Sequence, residues 1–167
     1  MLVFLAGCAG WRGDTYYAHR TPASRARKEA TYRVGLPGPG WSEMRGDKDI
    51  QVAWINRKLG AIIHVRAQCD GQGDSSLDQY TDHLRIDWTD WEVESQEPKR
   101  MLGRDALHTV VRAELDGVPR RNEYWVLKKN GCLFDLQYSA APADFESGRA
   151  AFASVVEGFA FPVEAGR

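Results

Sequence analysis

The chain has 167 residues, 43% of them hydrophobic and 27% charged, which suits one folded domain and excludes disordered and collagen-like chains. Its 22 Lys and Arg stand against 23 Asp and Glu, so no net field draws a polyanion and nucleic acid is not an expected partner. No apolar stretch approaches the ~18 residues of a membrane-spanning helix.

The chain opens Met1-Leu2-Val3-Phe4-Leu5-Ala6-Gly7-Cys8, an apolar run closing on small residues before a cysteine. Leu5-Ala6-Gly7-Cys8 resembles a bacterial lipobox, the signal in which the cysteine becomes the acylated first residue of the mature chain. The run is shorter than the 7–15 residues of a usual apolar region and lacks a preceding Lys or Arg, both of which a start upstream of Met1 would supply. The resemblance implies that the chain meets the membrane through lipid on Cys8. Ala9, rather than Asp, after the cysteine implies the outer membrane of a bacterial envelope, facing the periplasm. The competing reading makes this run the first strand of a cytosolic domain with a buried Cys8. Residues 1–8 are therefore expected as a lipoprotein signal, and residues 9–30, small, basic and polar, as a flexible tether.

The domain is expected over residues 31–162, with 163–167 a tail. Thr31-Tyr32-Arg33-Val34-Gly35-Leu36-Pro37 reads as a short strand, and Gly38-Pro39-Gly40-Trp41 as a turn. Ile50, Val52 and Trp54 alternate along one strand, Ala61 to Cys69 along the next, and Lys58-Leu59-Gly60 joins them as a hairpin. Asp74-Ser75-Ser76 offers helix caps before Leu77, Tyr80, Leu84 and Trp88, which share one helical face. Four alternating stretches follow, near Trp91–Arg100, at Arg104–Leu115, at Arg121–Lys129 and at Cys132–Ser139. Phe145, Phe152, Val155, Val156 and Phe159 form the stripe of a closing helix, which Phe161-Pro162 ends.

Counting across the turns predicts facing. A two-residue turn at Asn130-Gly131 pairs Lys129 with Cys132, Leu127 with Phe134 and Trp125 with Leu136, placing Leu127 and Trp125 on the core face. At Asp116-Gly117 two residues would pair Leu107 with Val126 and reverse the faces. Three residues, Asp116-Gly117-Val118, pair Leu107 with Leu127, so a longer or bulged turn with Gly117 at positive φ is expected there. With Cys8 assigned to lipid, Cys69 and Cys132 remain as an even pair on core-facing sides of strands. A disulfide between them is expected in an oxidising compartment, two buried thiols being the alternative.

This order of elements resembles the Mog1/PsbP-like fold, and in particular small bacterial lipoproteins with that fold. The residues that carry it are Tyr32-Arg33-Val34 with Leu36-Pro37 and Trp41, Gly103-Arg104-Asp105-Ala106, Asp116-Gly117, Gly131-Cys132-Leu133-Phe134-Asp135-Leu136, and the Phe145, Phe152, Val155, Phe159 tail. The resemblance implies an α+β domain, an antiparallel sheet flanked by helices as an α/β/α sandwich. Members of the family bind a small GTPase, assist a photosynthetic complex or act as chaperones for secreted effectors. These are binding and assembly roles, and fold alone transfers none of them.

Chemistry-bearing constellations are sparse. By alternation His64 and His108 share the non-core face and form a weak metal pair without an identifiable third ligand. No Cys-x-x-Cys, Gly-x-Ser-x-Gly, His-Glu-x-x-His or phosphate-cradling loop occurs, so neither a catalytic residue nor a cofactor is expected. Tyr124, Val126 and Leu133 on the second face, with Trp41 and Trp91, are candidates for a groove that accepts a partner segment or an apolar ligand. The reading that follows is a non-enzymatic envelope lipoprotein acting as a binding or assembly module for another envelope protein. Its rivals are a carrier or chaperone for a lipid or other apolar ligand, and a metal-dependent enzyme using His64 and His108.

Overall fold

The computed structural model describes residues 10–12, 15–17, 31–44, 50–69 and 75–161. Cys8, the expected signal and the expected tail lie outside the described residues. The strands are β1 (Gly10–Arg12), β2 (Thr15–Tyr17), β3 (Tyr32–Arg33), β4 (Ser42–Met44), β5 (Val52–Asn56), β6 (Ala61–Gln68), β7 (Thr89–Met101), β8 (Arg104–Leu115), β9 (Val118–Lys129) and β10 (Cys132–Ala140). The helices are α1 (Leu77–His83) and α2 (Phe145–Glu157). Seven strands form one antiparallel sheet in the order β4-β5-β6-β10-β9-β8-β7, and β1-β2-β3 form a smaller one. The architecture is the expected α+β sandwich, with α2 packed on β10 and β6 and α1 on β9 and β8.

Two stretches of the expected tether are strands. Trp11 pairs with Tyr16, and Tyr16 with Tyr32, which extends ordered structure upstream of residue 31. Thr and Tyr favour strands, but three-residue segments are too short for alternation to register.

Two-residue turns close the outer hairpins. Asn130 and Gly131 have φ of 51° and 78°, the left-handed pair that matches the twist of the flanking strands. Cys132 pairs with Lys129, Phe134 with Leu127 and Leu136 with Trp125, as counted from the sequence. Asp116-Gly117, at φ 53° and 76°, makes the same turn, so the expected three-residue turn is incorrect although Gly117 does take positive φ. Leu115 pairs with Val118 and Leu107 with Val126. Leu107, Thr109, Val111 and Ala113 consequently face α1, while Ala106 and Val110 join the core under α2. The error has a physical origin: Ala106, Leu107, Val110 and Val111 are all buried, so β8 is apolar on both faces and alternation does not choose between them.

The main core lies between α2 and the sheet. Phe145, Phe152, Val155 and Phe159 pack on Ile63, Val65, Leu127, Phe134, Leu136 and Tyr138, all buried. Close approach is possible because α2 carries Gly148, where a Cβ would stand 2.4 Å from the Tyr138 hydroxyl. That hydroxyl donates to the Phe145 carbonyl at 2.8 Å. A smaller cluster on the opposite face joins Tyr80 to Val111, Tyr124, Val126 and Leu133.

Helix α1 starts where the cap residues predict. The Ser76 hydroxyl accepts from the Gln79 amide, and the Gln79 side chain accepts from the Ser76 amide, a complete capping box. It ends a turn earlier than the apolar stripe implies: Leu84 is its C-cap and Trp88 lies beyond it, after a turn in which Asp87 sits at φ 72°. The outer edge, β7, is bulged between Thr89 and Glu92 and between Val93 and Ser95. Pro98 and the exposed Glu92, Glu97, Lys99 and Arg100 along it discourage pairing with another strand.

Candidate functional site

Strands β6 and β10 run antiparallel with Arg66 opposite Asp135 and His64 opposite Gln137, all four facing α1. Asp135 is completely buried. Its Oδ2 accepts from Arg66 Nε at 2.8 Å and from the Tyr80 hydroxyl at 2.5 Å, and Arg66 Nη2 donates to that same hydroxyl at 2.9 Å. The three side chains form a closed triangle that fastens α1 to the centre of the sheet. Burial and the neighbouring Asp135 carboxylate push the Tyr80 hydroxyl above its ordinary pKa, so it serves as a donor and not as a phenolate nucleophile. Burial disfavours the charged Arg66 guanidinium, but Asp135 and Tyr80 more than offset this and hold its pKa above the usual value. Burial drives the His64 imidazole below its usual range, with Arg66 adding to the effect and Asp135 opposing it. Oδ1 of Asp135 and the side-chain amide of Asn122 are buried without a hydrogen-bond partner.

A second polar network lies on the α2 face. Glu123, 6% exposed, accepts from His108 Nε2 at 2.8 Å and from Arg149 Nε of α2 at 2.9 Å. Burial alone would raise the Glu123 carboxyl, but these two partners outweigh it and hold it below the usual carboxylate range. Arg149 and Arg121 both reach Glu146, and Arg121 continues to Glu94, which also meets Arg112. The chain of ion pairs clips α2 to β9, β8 and β7.

These placements correct two sequence expectations. His64 and His108 do not share a face: His64 is opposite Gln137 under α1, whereas His108 stacks on Trp125 under α2 with ring centroids 4.6 Å apart. The cause is the reversed facing of β8. Among the described residues no group of three or more His, Cys, Asp or Glu could hold a metal. The expected groove is likewise closed. Tyr124, Val126 and Leu133 are fully buried beneath Tyr80, Trp91 packs on Tyr124 at 5.8 Å between rings, and Trp41 sits on the other face, 6.3 Å from Tyr138. The expected disulfide is present: Cys69 and Cys132 are joined at 2.09 Å between sulfurs, with Cys132 fully buried.

Sequence reasoning missed Arg66, Tyr80 and Asp135, and likewise Glu123 and Arg149. A usable signal existed in Leu133-Phe134-Asp135-Leu136-Gln137, where a carboxylate interrupts a strand that is apolar on both sides and therefore requires a buried partner.

The sheet order and its two flanking helices make an α+β domain, and its likeness to solved structures gives it a Mog1/PsbP-like fold. No family model and no curated protein sequence matches the chain. Solved structures do. PsbP (CyanoP) from Synechocystis sp. PCC 6803 is 15% identical, with 95% of this chain and 99% of that one covered and a TM-score of 0.57. LpqN of Mycobacterium tuberculosis, described as involved in cell envelope biogenesis, is 10% identical, with 79% and 84% covered and a TM-score of 0.60. A protein from Bacteroides thetaiotaomicron is 10% identical, with 83% and 51% covered and a TM-score of 0.52. At these identities the likeness establishes the fold.

Proposed function

We propose that this chain is a non-enzymatic binding or assembly module of the bacterial cell envelope, anchored by lipid on Cys8 and held at the outer membrane facing the periplasm. The observation that carries the reading is the Cys69–Cys132 disulfide, because such bonds persist in oxidising compartments and are rare in a reducing cytosol. Leu5-Ala6-Gly7-Cys8 supports it from the sequence side, and the envelope role stated for LpqN agrees with it. Binding is favoured over catalysis because the buried polar groups, Arg66, Tyr80 and Asp135 on one face and His108, Glu123 and Arg149 on the other, are engaged in holding the helices to the sheet.

Fractionation, intact-mass measurement and cross-linking in the native envelope test the proposal together. Expected are membrane recovery that is lost in Cys8→Ser, a mass increase equal to the acyl groups, and reproducible capture of one envelope protein. A cytosolic chain with two free thiols at Cys69 and Cys132 overturns the location. A co-purifying lipid or stoichiometric metal in place of a protein partner overturns the binding role.

A further inference from the structure

The end of the sheet that carries the turns Leu102-Gly103 and Asn130-Gly131 is built differently from the rest of a nearly neutral chain. An open hollow of about 480 Å³ lies there, lined by Ser76, Leu77, Arg100, Gly103, Arg104, Asp105 and Lys128. Arg100, Asp105 and Lys128 share the α1 face with Ser76 and Leu77, whereas the Arg104 side chain faces α2, opposite Met101 and over the Phe161 ring. The size is within the ~300–1,000 Å³ of small-ligand sites, but the lining is cationic rather than apolar. Arg100 contacts Asp105 at 2.5 Å and also the Gly103 carbonyl, while Lys128 donates to the Ser75 carbonyl. An arginine has five N–H donors and a lysine three, so each retains donors for a further acceptor.

Two more observations give this end a direction. Leu102, at the tip of the β7–β8 turn, is 48% exposed, an apolar side chain flanked by the cations. Strand β3 also starts at this end. From Gly35, whose amide bonds Val155, back to Arg33, which exchanges two bonds with Ala160, the backbone runs toward this end. Next to Ala160, the Phe161 ring lies beneath Lys129 at 4.3 Å and Arg104 at 6.0 Å. Strand β1 is antiparallel to β2 and β2 to β3, so β1 runs with β3, Gly10 lies at this end, and a domain anchored on Cys8 two residues before it presents this end to the surface.

We propose that this hollow takes the phosphate of an anionic phospholipid headgroup, with Arg100 and Lys128 as its ligands and Leu102 entering the interfacial layer, while Arg104 and Lys129 add positive charge to the same end from the α2 face. The proposal rests on the envelope reading above. Its ligand chemistry follows from the residues: a phosphodiester offers acceptors to guanidinium and ammonium groups, and Asp105 sets the affinity by competing for Arg100. The bound surface is sensed through charge, so binding weakens as salt screens it.

The assay is co-sedimentation of the full-length Cys8→Ser protein with vesicles of phosphatidylglycerol and phosphatidylcholine, or of phosphatidylcholine alone. Acylation in cells is read separately by intact mass and does not enter it, so the two proposals fail independently. Expected is binding to the phosphatidylglycerol vesicles only, falling with salt. Each cation near an anionic surface contributes ~1 kcal/mol, about fivefold, so Arg100→Gln with Lys128→Gln weakens binding about 25-fold. Asp105→Asn tightens it, an effect that damage to the fold would not produce. Equal binding to both vesicles, or undiminished binding by the double variant at an unchanged urea midpoint, overturns the proposal. So does saturable binding of inorganic phosphate, followed by amide chemical shifts, without any binding to vesicles.

Discussion

Replacing Asp135 by Ala tests whether the buried triangle is the fastening of α1. The substitution removes a fully buried carboxylate and leaves two donors, the Arg66 guanidinium and the Tyr80 hydroxyl, without their acceptor. Breaking one partner of a buried pair costs about 3–5 kcal/mol. The Arg66 side chain is 27% exposed and recovers some hydration, which places the expected loss near the lower end, ~3 kcal/mol. Removing all three polar groups together is different. Asp135→Leu, Arg66→Met and Tyr80→Phe in one chain leave no orphan donor, and such apolar replacement of a buried network is often close to neutral. Urea unfolding of the oxidised protein at constant slope reads both numbers, and hydrogen exchange of the α1 amides reports whether the helix is released. A loss below ~1 kcal/mol for Asp135→Ala, or a triple variant as damaged as the single one, would refute the reasoning.

Reduction of Cys69–Cys132, separated by 63 residues, is expected to lower stability by up to about 4 kcal/mol on the chain-entropy argument; coincident urea transitions with and without dithiothreitol contradict it. Gly148→Ala is expected to destabilise by about 1–3 kcal/mol despite the better helix propensity of Ala, because its Cβ would meet the Tyr138 hydroxyl at 2.4 Å. Adding Tyr138→Phe should recover part of that loss. The lowered pKa of His64 means that the unfolded chain takes up a proton near pH 6.5 while the folded chain resists. Stability is therefore full above that pH and declines as the pH falls below it; His64→Gln should flatten the decline between pH 6.5 and 5, measured by urea midpoints. The lowered Glu123 carboxyl adds its own loss only below about pH 4.5, outside that window.

Legibility followed the strength of local signals. Asn130-Gly131 left no choice of turn, and with it the register from Cys132–Lys129 to Leu136–Trp125 was determined. Ser76 and Gln79 marked the start of α1 in the same way. Failure came where a strand is apolar on both faces: β8 has Ala106 and Val110 on one side and Leu107 and Val111 on the other, so the facing was taken from the wrong set. The turn at Asp116-Gly117 and the side of His108 both inherited that one error; Tyr124, Val126 and Leu133 do lie on the second face, but Tyr80 of α1 covers them. That Asp135 is buried was legible, but its partner Arg66 was not, for another reason. It depends on which strand lies beside β10, and the β6–β10 neighbourhood is a long-range choice that no local pattern records.

The same neighbourhood governs how the sheet assembles in time. Pairs β8–β9 and β9–β10 close through two-residue turns, as β7–β8 does at Leu102-Gly103, whereas β6 meets β10 only by closing a loop comparable to the 63 residues between the cysteines. Closure entropy grows as the logarithm of loop length, which makes the long pairing about 3 kcal/mol more costly to initiate than a tight turn. The four C-terminal strands thus condense first as a meander of local contacts, and the β5–β6 hairpin docks on them afterwards. High φ-values in β8, β9 and β10 with low ones in β5 are the kinetic signature of that order, and the reverse pattern would contradict it. Cys69 and Cys132 straddle the seam between the two stages, so oxidation converts the slow meeting of distant segments into the closing of a chain already joined.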